Sequence, residues 1–330
     1  MFHPFVKKLL AAAWLAGSFA SLAQAQDAKA SLPARIDVLP FESITLSDSA
    51  FLKGDSSAAK TVMVAGQLYI AQASGKTPVV VILHGSAGIN GGSELWAREF
   101  AEMGVSTLLV DSFSGRGIVS TLDDQSQLGR LNMVVDAYRA IGKLKTHPRV
   151  DTSRIALMGF SRGGQAALYA SLERFHGLWN SSGADFAAYI PFYSDCKTAF
   201  IDDVKVKPVP IRMHHGEADD YVPVSGCVAY AERLKAAGRD AQLTIYKDAH
   251  HVFDSPLSPA KPFVLAQAQT IRQCFMAETS LGEIVNVKSG QPFTYADPCV
   301  ERGPHVGYNA DAATAARASV RETLKMVFKL

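Results

Sequence analysis

From residue 78 onward, the chain alternates between continuous apolar runs and stretches with apolar side chains at helical spacing. The runs at 78–83 and 105–110 are typical of strands buried on both faces of a sheet. The spacing in 128–145 instead predicts an amphipathic helix. The same criteria predict further strands at 61–64, 67–70, 154–158, 186–192, 209–213 and 241–246, and further helices at 94–103, 163–173, 224–237 and 310–328. This alternation predicts an α/β fold with a mostly parallel central sheet and helices on both faces.

Two segments differ from this alternation. The strands at 61–64 and 67–70 flank Gly66, which predicts a hairpin turn there. Residues 255–308 are rich in proline and partly irregular, which indicates a flap inserted before the last helix. A flap at that point would lie over the carboxyl edge of the sheet. Because no repeat or long linker divides the chain, we expect residues 26–330 to form a single domain.

The first 25 residues have the features of a secretory signal peptide. Lys7 and Lys8 precede an apolar run over 9–23, and Ala23-Gln24-Ala25 matches the pattern that signal peptidase cleaves. A membrane anchor is the alternative, but the run is short for a membrane span and has no stop-transfer flank. We therefore expect cleavage before Gln26 and export to the periplasm or the medium, with no membrane association of the mature chain.

Charge excludes one large class of partners. The 330 residues contain 33 Lys and Arg against 31 Asp and Glu, a net charge of +2, with no block of like charge. Proteins that bind nucleic acid concentrate basic residues, so we expect no nucleic-acid partner. Composition says nothing about the oligomeric state.

Four cysteines are present, an even number that suits disulfides in an oxidising compartment. Three pairings are possible, and the simplest joins near neighbours in the chain, Cys196–Cys227 and Cys274–Cys299. Free buried thiols are the alternative. The cysteine and histidine spacings match no metal-binding pattern, so neither a metal nor another cofactor is expected.

The strongest chemical signal is Gly159-Phe160-Ser161-Arg162-Gly163. It follows a predicted strand and precedes a predicted helix, as a nucleophile elbow does. A serine nucleophile needs a histidine base and an acid that orients the base. Two later clusters supply candidates at the carboxyl ends of strands, residues 214–220 with His214, His215, Glu217, Asp219 and Asp220, and residues 250–254 with His250, His251 and Asp254.

Together these motifs resemble the dienelactone hydrolase branch of the α/β-hydrolases, over about residues 79–254 and more loosely over the last helix. The marks of this resemblance are Leu83-His84-Gly85, Val110-Asp111-Ser112-Phe113 with Arg116-Gly117, the elbow at 159–163, Gly216-Glu217-Ala218-Asp219, and His251-Val252-Phe253. The resemblance implies an α/β-hydrolase fold. It also implies that Asp219, rather than Asp220, is the acid and that His251, rather than His250, is the base.

An α/β-hydrolase fold also implies where the oxyanion hole lies. One oxyanion donor would be the backbone N–H of Arg162, and the other that of Ser86, with Ala87 as the alternative. From its position in a flexible loop after a buried strand, Arg116 is predicted either to reach into the substrate pocket or to be a solvated loop charge. His84 and Tyr193 are the other candidates for the pocket. Dienelactone hydrolases proper use a cysteine nucleophile, whereas Ser161 would form an oxygen-ester acyl-enzyme. The prediction is an exported serine hydrolase of small carboxylic esters; the alternatives are amide or peptide cleavage, acyl transfer, or a non-catalytic binding protein.

Overall fold

The computed structural model describes residues 32–330, so the predicted signal peptide lies outside the described residues. Its centre is a sheet of eight strands. These are β1 (Arg35–Thr45), β2 (Lys60–Ile70), β3 (Thr77–Leu83), β4 (Ser106–Asp111), β5 (Val150–Phe160), β6 (Tyr189–Phe192), β8 (Ile211–Gly216) and β9 (Ala241–Tyr246). The spatial order is β1-β2-β4-β3-β5-β6-β8-β9. The six strands from β4 to β9 in this order pair in parallel, and β1 and β2 form an antiparallel edge.

Helices cover both faces of this sheet. They are α1 (Asp48–Lys53), α2 (Gly91–Glu102), α3 (Asn132–Leu144), α4 (Arg162–Tyr169), α5 (Glu173–Trp179), α6 (Ser225–Ala236) and α7 (Ala310–Phe328). Val79 and Val81 of β3 pack into the core beside α3, whereas Val80 and Ile82 pack into the core beside α2 and α7. Because side chains alternate along a strand, a continuous apolar run fills both cores. The predicted fold class is confirmed. In residues 32–330, no helix is long and apolar enough to cross a membrane.

The predicted hairpin at Gly66 is wrong. Residues 60–70 form one continuous strand, β2, which pairs antiparallel with β1 along its whole length. A Cβ atom at Gly66 would lie 2.5 Å from Cδ1 of Leu108, a side chain of the neighbouring strand β4. The glycine therefore allows close packing of Leu108 rather than a turn.

The segment 255–308 forms small sheets outside the central one. Its strands are β10 (Phe263–Val264), β11 (Gln269–Thr270), β12 (Met276–Glu278), β13 (Ile284–Asn286), β14 (Glu301–Arg302) and β15 (His305–Val306), and β12 also pairs with β7 (Thr198–Ala199). Val306 makes a bridge with His251, and Gly307 N donates to the carbonyl of His251 at 3.1 Å. The segment is thereby joined to the loop that carries His251.

Both disulfides join the cysteines that were predicted to pair because they are near neighbours in the chain. Cys196 bonds to Cys227, and Cys274 bonds to Cys299. The first ties the segment after β6 to helix α6, and the second closes a loop within residues 255–308. Two disulfides in one chain are typical of an oxidising compartment.

The buried His214 in β8 makes the stability of the fold depend on pH. Burial, aided by the charge of Arg212, lowers the pKa of His214 to about 3 from 6.5. Between these values the unfolded chain binds a proton that the folded chain excludes, so stability falls as the pH falls. From pH 7 to pH 5, the free energy of unfolding of the parent should fall by about 2 kcal/mol more than that of His214→Gln. Urea unfolding at the two pH values measures both changes. Equal losses in the two proteins would contradict this assignment.

Candidate active site

Ser161 lies at a sharp turn between β5 and α4. Its backbone has φ 53° and ψ −113°, in a region that non-glycine residues rarely adopt. A Cβ atom at Gly159 would lie 2.1 Å from the carbonyl oxygen of Gly163, and one at Gly163 would lie 2.3 Å from that of Leu83. Only glycine fits at these two positions. The turn places the Ser161 hydroxyl at the carboxyl edge of the sheet, beside the N-terminus of α4.

One imidazole joins the serine to an acid. His251 Nε2 lies 2.9 Å from Oγ of Ser161, and His251 Nδ1 lies 2.7 Å from Oδ2 of Asp219. With the proton on Nδ1, the imidazole donates to the carboxylate and accepts from the serine hydroxyl. This arrangement can remove a proton from Ser161 and hold the resulting imidazolium.

The environment of Asp219 keeps its carboxylate charged. Burial alone would raise the pKa of Asp219, but the charges and hydrogen bonds of His251 and His215 outweigh burial and hold it well below its usual range. The other oxygen, Oδ1, accepts from the backbone N–H groups of Tyr221 at 2.9 Å and Val222 at 2.8 Å. The carboxylate is therefore fixed in position and ionised at neutral pH.

The two alternative residues point elsewhere. Asp220 accepts from the backbone N–H of His305 at 2.8 Å and faces the His305 ring at 2.9 Å, so it holds the 255–308 segment. The ring of His250 lies 6.1 Å from that of His305. Neither alternative contacts Ser161.

Two tyrosine rings enclose His251. The ring centroids of Tyr193 and Tyr221 lie 4.5 Å and 4.7 Å from that of the imidazole. Tyr193 has a positive φ of 34°, and its hydroxyl donates to Asp254 at 2.8 Å. Trp96 Nε1 donates to the same carboxyl at 2.7 Å, and burial raises the pKa of Asp254. These contacts limit rotation of the His251 ring.

The loop after β3 runs beside the nucleophile. A Cβ atom at Gly85 would lie only 3.5 Å from Cβ of Ser161. Ser86 and Ala87 follow in the same loop and border the cavity in front of Ser161. The N–H of Arg162 belongs to the first turn of α4, where backbone N–H groups lack helical partners. The loop and the helix thus bring backbone N–H groups close to the serine.

His84 does not line the pocket, contrary to the sequence-based expectation. Its side chain is buried under the loop, with Nε2 accepting from Ser112 N at 3.1 Å and Nδ1 donating to Gly85 O at 2.7 Å. Burial lowers the pKa of His84, which suits this neutral form. Both ring nitrogens are occupied, so His84 shapes the loop and does not line the cavities at Ser161.

Arg116, contrary to the expectation, does not line the cavities at Ser161. Its guanidinium forms a buried ion pair with Asp136 of α3 at 2.8 Å. It also donates to the backbone carbonyls of Ser112 and Ile44 and to Oγ1 of Thr45. The residue that looked like a flexible loop charge instead ties β1 and α3 to the loop after β4.

The ion pair leads to a stability prediction. We expect Arg116→Met to lower the free energy of unfolding by about 3 to 5 kcal/mol, because it leaves Asp136 buried without its charge partner. Urea unfolding measures this loss. The KM of the folded variant should stay within about twofold of the parent value. If KM rose strongly while the free energy of unfolding stayed unchanged, Arg116 would have to be assigned to the substrate pocket.

A cavity of about 300 Å³ opens in front of Ser161. Its polar members include Ser86, Ser161 and His251. Its apolar walls are formed by Leu122, Phe160, Tyr193, Tyr221, Val252, Leu257, Leu265 and Val306. Three of these, Leu257, Leu265 and Val306, belong to residues 255–308. The cavity suits an apolar group of moderate size.

Sequence reasoning missed the contacts that Tyr221 and Asp254 make in the site. Tyr221 follows the candidate acids by one or two positions, and this adjacency was the available signal for it. Asp254 reaches the site through the hydroxyl of Tyr193, which is distant in sequence. No local pattern indicates that contact.

Three features together define an α/β-hydrolase. They are the order of the strands in the sheet, the strained turn at Ser161, and the position of His251 on the loop after β9, the last strand of the central sheet. The sequence profile of the dienelactone hydrolase family matches residues 64–328. The chain therefore belongs to this family.

Two known proteins illustrate the similarity. A Bradyrhizobium protein named "Probable 2-oxo-3-(5-oxofuran-2-ylidene)propanoate lactonase" is 27% identical over 215 residues, which cover 59% of this chain and 81% of the relative. The crystal structure of a dienelactone hydrolase-like promiscuous phosphotriesterase from metagenomic libraries superimposes with a TM-score of 0.54 at 19% identity. That match covers 88% of this chain and 98% of the other, and it shows a shared fold.

Proposed function

We propose that this chain is a serine hydrolase that cleaves small carboxylic esters through an acyl-enzyme on Ser161. The observation that carries the proposal is the pair of hydrogen bonds from His251, one to Ser161 Oγ at 2.9 Å and one to Asp219 at 2.7 Å. Membership of a family that contains ester and lactone hydrolases supports the reaction class.

In the first half-reaction, Oγ of Ser161 attacks the ester carbonyl carbon while Nε2 of His251 takes the hydroxyl proton. The carbonyl electrons move to the oxygen, and the N–H groups of Ser86 and Arg162 stabilise the resulting oxyanion. When the tetrahedral intermediate collapses, the bond to the alcohol oxygen breaks. His251 gives its proton to the leaving alcohol, and the acyl group stays on Ser161.

In the second half-reaction, His251 removes a proton from water, and the hydroxide attacks the acyl carbon. Collapse returns the bonding electrons to Oγ of Ser161, which regains its proton from His251, and the acid leaves. Asp219 stays ionised throughout and stabilises the imidazolium in both halves. No step requires a metal or another cofactor.

A substrate panel tests the reaction class. We expect the purified mature protein to hydrolyse p-nitrophenyl acetate and p-nitrophenyl butyrate, and to cleave the matching anilides at least about 10³-fold more slowly. Addition of a competing alcohol should yield little transesterified product. Faster anilide cleavage or dominant acyl transfer would replace ester hydrolysis as the function, and the absence of all turnover would favour a binding protein.

We further propose that the protein is exported after cleavage before Gln26, and that residues 26–330 form one domain in which the 255–308 segment acts as a lid. The two disulfides support an oxidising location. The part played by Leu257, Leu265 and Val306 in the cavity wall supports the lid. N-terminal sequencing of protein secreted by the native host should begin at Gln26; an intact N-terminus would contradict export by this route.

A further inference from the structure

A second, smaller cavity also opens onto Ser161. Its volume is about 50 Å³, enough for about four heavy atoms, and it shares Ser86, Ser161 and Tyr221 with the apolar cavity. In the remaining wall most residues have polar side chains; its members are Gln125, Arg130, Arg162, Gln165, Asp195, Val222, Gln269, Thr270, Ile271 and Tyr295. Ser161 therefore lies between the apolar cavity and a second cavity whose walls carry hydrogen-bonding side chains, which we call the polar cavity.

The polar cavity has more hydrogen-bond donors than its own walls can satisfy. The hydroxyl of Tyr221 is buried, and although Gln125 lies nearby, no hydrogen bond of normal geometry joins them. The side chain of Gln165, which is 4% exposed, lines the same cavity. Buried donors are rarely left unpaired, so an occupant that brings an acceptor oxygen to the Tyr221 hydroxyl would complete the hydrogen bonding of this wall.

Arg130 adds further donors to the same wall. Its guanidinium donates to Asp195 at 2.7 Å and to the sulfur of Met276 at 3.1 Å. Its other N–H groups have no partner within the described part of the chain. They reinforce the demand for acceptor atoms in the cavity.

Two guanidinium groups, those of Arg130 and Arg162, and one carboxylate, that of Asp195, lie in the wall. Arg130 is paired with Asp195, and Asp48 is close enough to interact electrostatically with both Arg130 and Arg162. Burial raises the pKa of Asp48, and the nitrogens of Arg162 already donate to oxygens of Gln125 and Leu128. Arg162 is thus satisfied by neutral oxygens of the protein, and a neutral oxygen atom is sufficient to accept the hydrogen bonds that the cavity still offers.

We propose that the polar cavity is a subsite for a short, uncharged, oxygen-bearing arm of the ester, and that the apolar cavity takes the hydrocarbon side. This inference rests on the proposed cleavage of esters at Ser161. The substrate class is then an ester with an apolar group on one side of the scissile bond and a short ether or hydroxyl group on the other.

Pairs of esters that differ by one oxygen atom test this inference. The acyl pair is p-nitrophenyl butyrate and p-nitrophenyl methoxyacetate, and the alcohol pair is propyl and 2-hydroxyethyl phenylacetate. Each kcat/KM value is divided by the rate constant for alkaline hydrolysis, which removes the difference in intrinsic reactivity. We expect the oxygen-bearing member of at least one pair to be preferred about tenfold.

Variants then locate the preference. Tyr221→Phe removes only a hydroxyl, and Gln165→Met removes only an amide, and each should reduce the preference about fivefold. Tyr189→Phe is the matched control, because the Tyr189 hydroxyl is also buried and unpaired but lines neither cavity. It should leave both the preference and the rates unchanged.

Several results would overturn the inference while leaving ester hydrolysis intact. One is equal normalised rates within both pairs, and another is a preference that survives both Tyr221→Phe and Gln165→Met. A p-nitrophenyl hemisuccinate that outperforms the methoxyacetate would show that the cavity selects an anion instead. Failure of the parent protein to hydrolyse any of the esters would remove the proposed function itself, and this inference with it.

Discussion

Replacing Ser161 with alanine is expected to lower kcat/KM for p-nitrophenyl butyrate by about 10⁵-fold or more. Without Oγ no acyl-enzyme forms, and the remaining oxyanion donors assist only direct attack by water. Because Oγ of Ser161 bonds only to His251 within the described residues, its loss should leave the fold intact. Initial rates and circular dichroism measure the two effects.

Ser112→Ala is the matched control for this substitution. The Ser112 hydroxyl is also buried, has no hydrogen-bond partner in the described residues and lines neither cavity. Its removal should change kcat/KM by less than about twofold. If Ser161→Ala kept more than about a hundredth of the parent activity, the serine would not be the nucleophile.

Replacing His251 with glutamine is expected to lower kcat by about 10⁴-fold or more, with a much smaller change in KM. Glutamine retains a polar side chain but cannot take and return a proton. His250→Gln provides the control in the adjacent position, because His250 faces His305 and not Ser161. We expect that control to stay within about threefold of the parent rate.

The opposite ranking of these two histidine variants would contradict the assignment. If His250→Gln abolished activity and His251→Gln did not, the hydrogen bond between His251 and Ser161 would have no role in turnover. Measuring kcat and KM separately is essential, because loss of proton transfer affects mainly kcat, whereas loss of substrate contacts affects mainly KM.

The buried parallel strands were predictable because both of their faces are apolar. Every residue of β3 is buried, so its sequence is a continuous hydrophobic run. The edge strand β1 was not predicted, because most of its residues are exposed or only partly buried and their pattern is weak. The predicted helix 163–173 in fact ends at Tyr169, and α5 begins at Glu173.

The candidate site likewise has residues that the sequence predicts and residues that it does not. Ser161, Asp219 and His251 each lie in a short motif at the end of a strand, and topology brings such ends together at one edge. Arg116 is different, because its role depends on Asp136, a residue of another element that no local pattern connects with it. The polar cavity also depends on contacts between distant segments, such as that of Arg130 with Asp195.

Covalent labelling with a fluorophosphonate tests the central claim most directly. Attack by the activated serine forms an O–P bond and expels fluoride, and peptide mass spectrometry then identifies the modified residue. We predict stoichiometric labelling of Ser161, none in Ser161→Ala, and labelling slowed by about 10³-fold or more in His251→Gln. A label on any other residue, or equal rates in the parent and His251→Gln, would contradict the claim that His251 activates Ser161.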